Sequence, residues 1–103
     1  MNKSKQMRQL HRKFLANVPE QYVFMCADGQ IFRNLSDLRY GLGNMSNEVF
    51  SYHSNDKTHD FSNWIKDIIG DEELAGDIAF NVSRKEAAIT VNKRICYLKS
   101  MRI

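Results

Sequence analysis

The sequence predicts a predominantly helical α+β domain with about five or six helices and one β-hairpin near residues 22–33. Three observations lead to this prediction. Apolar residues recur at helical spacing along most of the 103-residue chain. Capping residues and glycines divide these stretches at short intervals. Two apolar runs instead flank Asp28-Gly29, the dipeptide typical of a tight hairpin turn.

The central stretch, residues 60–75, predicts two consecutive helices joined by a tight corner. Asp60 suits the N-cap of the first helix, Gly70 the left-handed residue that ends it, and Asp71 the N-cap of the second. Four apolar residues of the first helix fall at i, i+3, i+4 and i+7, so they share one face and are predicted to form the structural core: Phe61, Trp64, Ile65 and Ile68.

The N-terminal segment, residues 1–18, predicts a basic amphipathic helix. One apolar line is expected to pack on the body: Met7, Leu10 and Phe14. A basic stripe with the same spacing lies on the opposite side and is expected to face solvent: Lys5, Arg8 and Arg12. Pro19 ends the helix, because the residue before a proline avoids helical conformation.

A two-residue turn at Asp28-Gly29 would set the faces of the hairpin. One face would carry Phe24, Cys26 and Ile31, and the other Val23, Met25 and Phe32. Both faces would then be apolar. Because an isolated two-stranded hairpin is marginal in water, helices are expected to cover both faces or nearly so.

The remaining helices are predicted from their caps. Asn34 begins a helix that carries three leucines and ends at Gly43, and Ser46 begins a short helix through His53, followed by a polar loop over residues 54–60.

Ser83 and Glu86 form a capping box that opens a C-terminal helix over residues 84–100. Its main apolar face is Ala87, Ala88, Val91, Ile95 and Leu98, and its second stripe is Ile89, Cys96 and Ile103. Either the N-terminal helix or a second subunit would cover the second stripe, and the N-terminal helix is favoured, which makes a monomer the preferred state.

Residues 22–79 resemble a family of small prokaryotic, largely archaeal, domains of unknown function. The resemblance rests on Asp28-Gly29, then Asn-Leu-x-x-Leu from residue 34, Met-Ser-x-Glu-x-Phe from residue 45, a polar loop with a histidine, and Asp-Phe-x-x-Trp-Ile from residue 60. It implies a compact, mostly helical fold and no activity. Two positions depart from the family: Gly41 lies where a helix would tolerate alanine better, and His59 lies where asparagine is expected.

Size and composition predict a single soluble domain over residues 1–103. Hydrophobic residues make up 43% and charged residues 26%, as in ordinary globular proteins. Cys26 and Cys96 lie in apolar patterns without a CxxC partner and are expected to be buried free thiols. With no signal-type or membrane-spanning apolar run, the protein is expected to be cytoplasmic and not to bind membranes.

Charge is divided unevenly along the chain. Residues 1–13 hold five bases and no acid, residues 14–83 hold four bases and eleven acids, and residues 84–103 hold six bases and one acid. Basic ends suggest an anionic partner, although they could equally pack near the acidic body or remain solvated.

Sequence motifs for catalysis, cofactors or metals are not recognisable. The three histidines and two cysteines lack zinc spacing, and the acids of residues 56–77 are largely accounted for as caps and first-turn residues. We therefore expect no enzyme, cofactor or metal, and a role for His53 in ordering its loop.

The favoured function is a protein–protein interaction or regulatory module. The alternative is weak, sequence-independent nucleic-acid binding through Lys5, Arg8 and Arg12, to which Lys85, Lys93, Arg94, Lys99 and Arg102 could add.

Overall fold

The computed structural model describes residues 3–79 and 82–100 and, within these ranges, the side chains from Gln6 onwards. The chain is 68% helical, with six α-helices and a two-stranded antiparallel hairpin in the described residues, which confirms the predicted fold class. The elements, in order, are α1 (Lys3–Leu15), a 3₁₀ turn (Glu20–Tyr22), β1 (Phe24–Met25), β2 (Ile31–Phe32), α2 (Leu35–Asn44), α3 (Asn47–His53), α4 (Asp60–Trp64) with a π-helical turn (Ile65–Ile69), α5 (Glu72–Asp77) and α6 (Arg84–Ser100).

Most of the predicted helix caps form. The side chains of Asn34, Ser46 and Asp71 each accept a hydrogen bond from the backbone N–H three residues later. Ser83 and Glu86 bond reciprocally at 3.1 Å, as the capping box requires. The prediction for Asp60 was wrong, because His59 occupies the N-cap position and Asp60 is the first helical residue. Helix α2 also continues through Gly43 to Asn44.

The core is centred on α2 and α6. The Arg84 guanidinium donates to the Leu42 carbonyl at 2.9 Å, so the end of α2 lies beside the start of α6 and the two helices are antiparallel. Their facing side chains are at most 4% exposed: Leu35, Leu38, Leu42, Ala87, Val91, Ile95 and Leu98. Ala88, predicted on the same face, is half-buried at its edge.

A wider helical turn alters the predicted face of the central stretch. The Ile65 carbonyl accepts from the N–H of Gly70, five residues later, at 2.7 Å, which makes residues 65–69 a π-helical turn. Phe61, Trp64 and Ile65 are buried, but Ile68 is only half-buried and Ile69 enters the core in its place. Gly70 then ends the helix in the left-handed region, at φ 93°.

The hairpin has a different register from the predicted one. Phe24 pairs with Phe32 and Met25 with Ile31, which is one residue away from the pairing that a two-residue turn would impose. The loop has three residues, closed by a Cys26 N–H to Gln30 carbonyl bond at 2.8 Å, and Gly29 takes the left-handed position at φ 94°. Phe24 and Phe32 therefore share the buried face, while Met25 and Ile31 are exposed.

Gly41 of α2 lies directly against the Phe32 ring of the hairpin. A β-carbon built at this position would overlap the Phe32 ring, whose side chain is 1% exposed in the core. We expect Gly41→Ala to destabilise the protein by about 1–3 kcal/mol through overpacking, although alanine favours a helix. Urea denaturation monitored by circular dichroism measures the change.

Gly43 provides the matched control for this prediction. It lies in the same helix, and a β-carbon built there would meet no atom within 4 Å. Gly43→Ala should therefore leave stability unchanged or raise it by about 0.5 kcal/mol. Equal effects of the two substitutions would contradict the tight contact between Gly41 and Phe32.

Candidate interaction surface

The buried histidine of α3 is fully engaged in holding the fold together. His53 Nε2 accepts from the Ala27 N–H at 3.0 Å, so its Nδ1 carries the proton and donates to Asp60 Oδ2 at 2.9 Å. Its ring also packs between Phe24 and Phe61. One imidazole thus joins the hairpin loop, the end of α3 and the start of α4. That His53 orders the loop over residues 54–60 stays a prediction, while these two bonds leave neither ring nitrogen free to act as a general base.

A buried ion pair joins α5 to α6. Asp71 is 1% exposed, and its two oxygens accept from Arg94 Nε at 2.8 Å and Nη2 at 3.0 Å. Burial by itself would lower the pKa of the Arg94 guanidinium, but the hydrogen bonds and charge of Asp71 outweigh burial and raise it. Arg94 also contacts Glu73 at 3.0 Å. The sequence does not predict this pair, because 23 residues separate its members and no local pattern connects them.

The two cysteines have different surroundings. Cys26 is buried as predicted, and burial raises the pKa of its thiol. The prediction for Cys96 was wrong, because this residue is exposed on α6. Within residues 3–79 and 82–100, no group of three or more His, Cys, Asp or Glu side chains is placed to hold a metal ion.

Helix α1 buries only part of its apolar line. Phe14 is buried, and His11 is buried beside it, but Met7 and Leu10 are 43% and 47% exposed, which corrects the prediction that all three apolar residues face the body. Of the basic stripe, Arg12 is exposed and Arg8 is half-buried, while the side chain of Lys5 lies outside the described residues. The apolar line therefore continues beyond the part of the helix that the body covers.

A ring contact between His11 and Tyr97 joins the exposed part of α1 to α6. The rings of His11 and Tyr97 lie 5.6 Å apart, and Tyr97 is 47% exposed. Met7 is one helical turn before His11, so it lies on the same side of α1. We call Met7, Leu10 and Tyr97, together with Lys13 and Lys93 next to them in their helices, the α1–α6 surface.

The second stripe of α6 does not receive the predicted cover. Ile89 is 55% exposed and Cys96 is exposed, so within the described residues α1 does not lie over them. Ile103 lies outside the described residues. The prediction that the N-terminal helix covers this stripe was wrong, because α1 contacts α6 through Tyr97, on another side of the helix.

The bases of α6 do not form one patch with the basic residues of α1. Arg94 is held by Asp71 and Glu73, and Lys93 borders a depression of about 410 Å³ whose other wall carries Glu73 and Asp77. Lys85 and Lys99 are exposed, and Arg102 lies outside the described residues. The positive charge of this region thus belongs mainly to α1, whose sequence contains no acid.

A second exposed apolar area is the outer face of the hairpin. Met25 is 74% exposed, and its cross-strand partner Ile31 borders a depression of about 270 Å³ with Tyr40 of α2. The expectation that helices cover both faces of the hairpin was therefore wrong for this face. The rim of this depression carries one base, Arg33, and one acid, Asp37, so it does not favour a partner of either charge.

No family model, curated protein or solved structure matches the chain. The resemblance of residues 22–79 to a family of small prokaryotic domains therefore stays a prediction. In the part of the chain that the structure describes, no helix has both the length and the apolar character needed to cross a bilayer.

Proposed function

We propose that the protein is a non-enzymatic interaction module that binds another protein through the α1–α6 surface. The observation that carries the proposal is the half-exposure of Met7 and Leu10 on a helix that buries His11 and Phe14 in its next turn. Apolar side chains grouped in this way mark interaction sites, and methionine and aromatic residues are enriched at the centres of protein interfaces. Tyr97 adds an aromatic ring to the same surface.

The arrangement of the polar residues supports binding rather than catalysis. A general base needs a free nitrogen or oxygen within hydrogen-bonding reach of a substrate. Both ring nitrogens of His53 are engaged inside the fold, and the Asp71 carboxylate is held by Arg94 and by the Leu74 N–H. His53 and Asp71 thus stabilise the body that presents the α1–α6 surface.

The proposal includes a cytoplasmic monomer. Both cysteines are free thiols, which suits a reducing compartment. Light scattering is expected to give the mass of one chain over a wide concentration range.

Capture from a native lysate of the source organism tests the proposal. Full-length wild-type protein is compared with Met7→Gln/Leu10→Gln, which removes the apolar character of the α1–α6 surface. Met25→Gln is the matched control, because it makes the same change at an exposed methionine of the hairpin. We expect wild type and control to retain the same protein partner and the double variant to lose it, with unchanged melting temperatures for all three. Equal capture by all three, or loss of capture after nuclease treatment, would refute the proposal.

Nucleic acid is the second candidate, and the charge of α1 favours it. The helix contains basic residues and no acid, and Arg12 and Lys13 are exposed. Such a stripe would neutralise only a few phosphates, so binding would be weak and independent of sequence. The exposed Met7 and Leu10 would have no role in it.

Salt dependence gives a quantitative prediction for this second candidate. Counterion release requires the logarithm of the binding constant for duplex DNA to fall with the logarithm of salt concentration, with a slope of about −0.9 per phosphate neutralised. Arg12→Glu/Lys13→Glu should abolish binding at low salt without lowering the melting temperature, and Met7→Gln/Leu10→Gln should leave it unchanged. Fluorescence anisotropy with a labelled duplex measures the salt dependence and the effect of each variant. If the wild-type protein does not bind the duplex at low salt, this candidate is eliminated.

A further inference from the structure

We infer that His53 is a proton-controlled switch: the neutral ring holds the hairpin loop, residues 27–29, on the end of α3, and protonation of the ring releases that loop. The switch consists of two hydrogen bonds that one buried imidazole makes to two different elements, the hairpin loop and α4. Neither element belongs to the α1–α6 surface, so the switch is independent of the proposed function.

The bond to the loop requires the neutral form of the ring. His53 Nε2 accepts from the Ala27 N–H at 3.0 Å, while Nδ1 donates to Asp60 Oδ2 at 2.9 Å. An imidazolium carries a proton on both nitrogens and therefore has two donors and no acceptor. Because no rotation of the protonated ring can restore an acceptor, the Ala27 N–H must lose this bond once His53 takes up a proton.

The bond to α4 survives protonation and becomes stronger. Nδ1 of His53 remains a donor in the imidazolium, so its 2.9 Å bond to the Asp60 carboxylate becomes an ion pair. The Asp60 side chain is 41% exposed, which leaves its charge available as a counter-ion without deep burial. His53 would thus stay attached to the start of α4 while it gives up the hairpin loop.

The release would remain local, because other contacts hold the two strands. Phe24 and Phe32 are 9% and 1% exposed, and their rings stack with centroids 5.7 Å apart. Ala27 is exposed, so its N–H can bond to water once the ring no longer accepts from it. Two opposed donors are unfavourable, and the loop can therefore leave α3 without leaving a buried donor unpaired.

Other ionisable side chains lie on the segments that meet at His53. They are Cys26 and Asp28 in the hairpin, Glu48 and Tyr52 in α3, Asp56, Lys57 and His59 in the following loop, and Asp60 in α4. Hydrogen bonds from Gln30 lower the pKa of Asp28, and burial raises the pKa of the Cys26 thiol, so both keep their charge state between about pH 5 and 8. Histidine is the residue type that changes charge in this range, so His59 is tested alongside His53.

NMR of the ¹⁵N-labelled full-length protein, titrated from about pH 8 to about pH 5, tests the switch. The ring nitrogens of His53 report its protonation. The Ala27 amide, with its scalar coupling across the N–H···N bond, reports whether Nε2 still accepts. His53→Gln is the main variant, because glutamine offers an acceptor and a donor but takes up no proton. His59→Gln and His11→Gln are the matched controls at the other histidines.

At the upper end of the titration we expect a coupling between the Ala27 amide and His53 Nε2. As the ring is protonated, this coupling should be lost, and the Ala27 amide should shift along the same titration curve as the His53 ring. Contacts between β1 and β2 should persist throughout. In His53→Gln the Ala27 amide should not move over this range, whereas in both controls it should move as in wild type.

Asp60→Asn tests the attachment that is kept. An asparagine oxygen can still accept from Nδ1, but it provides no counter-ion for the imidazolium, so the loop should be released at lower pH than in wild type. Release at an unchanged or higher pH would contradict the ion pair between His53 and Asp60 on which the switch depends.

Several results of the titration would overturn the inference. One is a His53 ring that stays neutral down to the lowest pH, since nothing would then release the loop. Another is an Ala27 amide that keeps its shift while the ring is protonated, or that titrates in His53→Gln as in wild type. Loss of the β1–β2 contacts together with the Ala27 bond would show unfolding in place of a local switch. Should His53→Gln fail to fold, the wild-type titration alone still distinguishes release from no release.

Discussion

Asp71→Ala is expected to destabilise the protein by about 3–5 kcal/mol. The substitution removes a carboxylate that is 1% exposed and leaves the Arg94 guanidinium, itself largely buried, without its main partner. The same carboxylate caps α5 by accepting from the Leu74 N–H at 3.2 Å, and losing a cap adds about 1 kcal/mol within that range. Because domains of this size are stable by about 5–15 kcal/mol, this loss would be a large fraction of the total free energy of unfolding.

Glu73→Gln is the matched control for this prediction. Glu73 also contacts Arg94, at 3.0 Å, but its side chain is 71% exposed, so its ion pair is screened by water. We expect a change of less than about 1 kcal/mol in urea denaturation. Asp71→Ala/Arg94→Met should recover part of the loss, because it removes the unpaired charge as well. A cost for Asp71→Ala no larger than that of Glu73→Gln would contradict a stabilising role for the buried pair.

Trp64→Ala is expected to have an effect of similar size, about 3–5 kcal/mol. Trp64 is 7% exposed, packs edge-on against Phe24 at 5.9 Å between ring centroids, and donates from Nε1 to the Tyr22 carbonyl at 2.8 Å. Truncation would open a cavity between α4 and the hairpin and leave that carbonyl without its donor. Chemical denaturation followed by circular dichroism measures the change.

Trp64→Phe separates packing from hydrogen bonding at this position. It keeps a ring in the core but removes the donor, so it should cost about 1–3 kcal/mol, clearly less than alanine. Since Trp64 is the only tryptophan, wild-type fluorescence reports on it alone and should be blue-shifted when folded and move to the red on unfolding. Native emission like that of free tryptophan would contradict the burial of this side chain.

Local features of the chain were predictable from sequence because their physics is local. A helix N-cap depends on a side chain and a backbone N–H three residues apart, and Asn34, Ser46, Asp71 and Ser83 all form the bonds that their positions indicate. The bounds of α6 follow in the same way from its capping box and its periodic apolar face. The left-handed glycine at position 70 was likewise predictable, because few other residues adopt that conformation readily.

The candidate surface itself could be predicted only in part. The basic and apolar character of α1 is evident in the sequence, but periodicity cannot tell which turns of an apolar line the body covers. The structure shows Phe14 covered and Met7 and Leu10 half exposed, and it brings Tyr97 of α6 beside them.

By itself, the sequence determined the fold class, most of the helix starts and the residues available for the core, since these follow from periodicity and capping within a few neighbouring residues. The tertiary structure alone decided the register of the hairpin, in which Phe32 turns inward against Gly41, and the π-helical turn that brings Ile69 into the core. It also decided the pairing of Asp71 with Arg94. These features depend on contacts between segments distant along the chain, where the free energy of close packing and of pairing a buried charge outweighs the preference of any single segment.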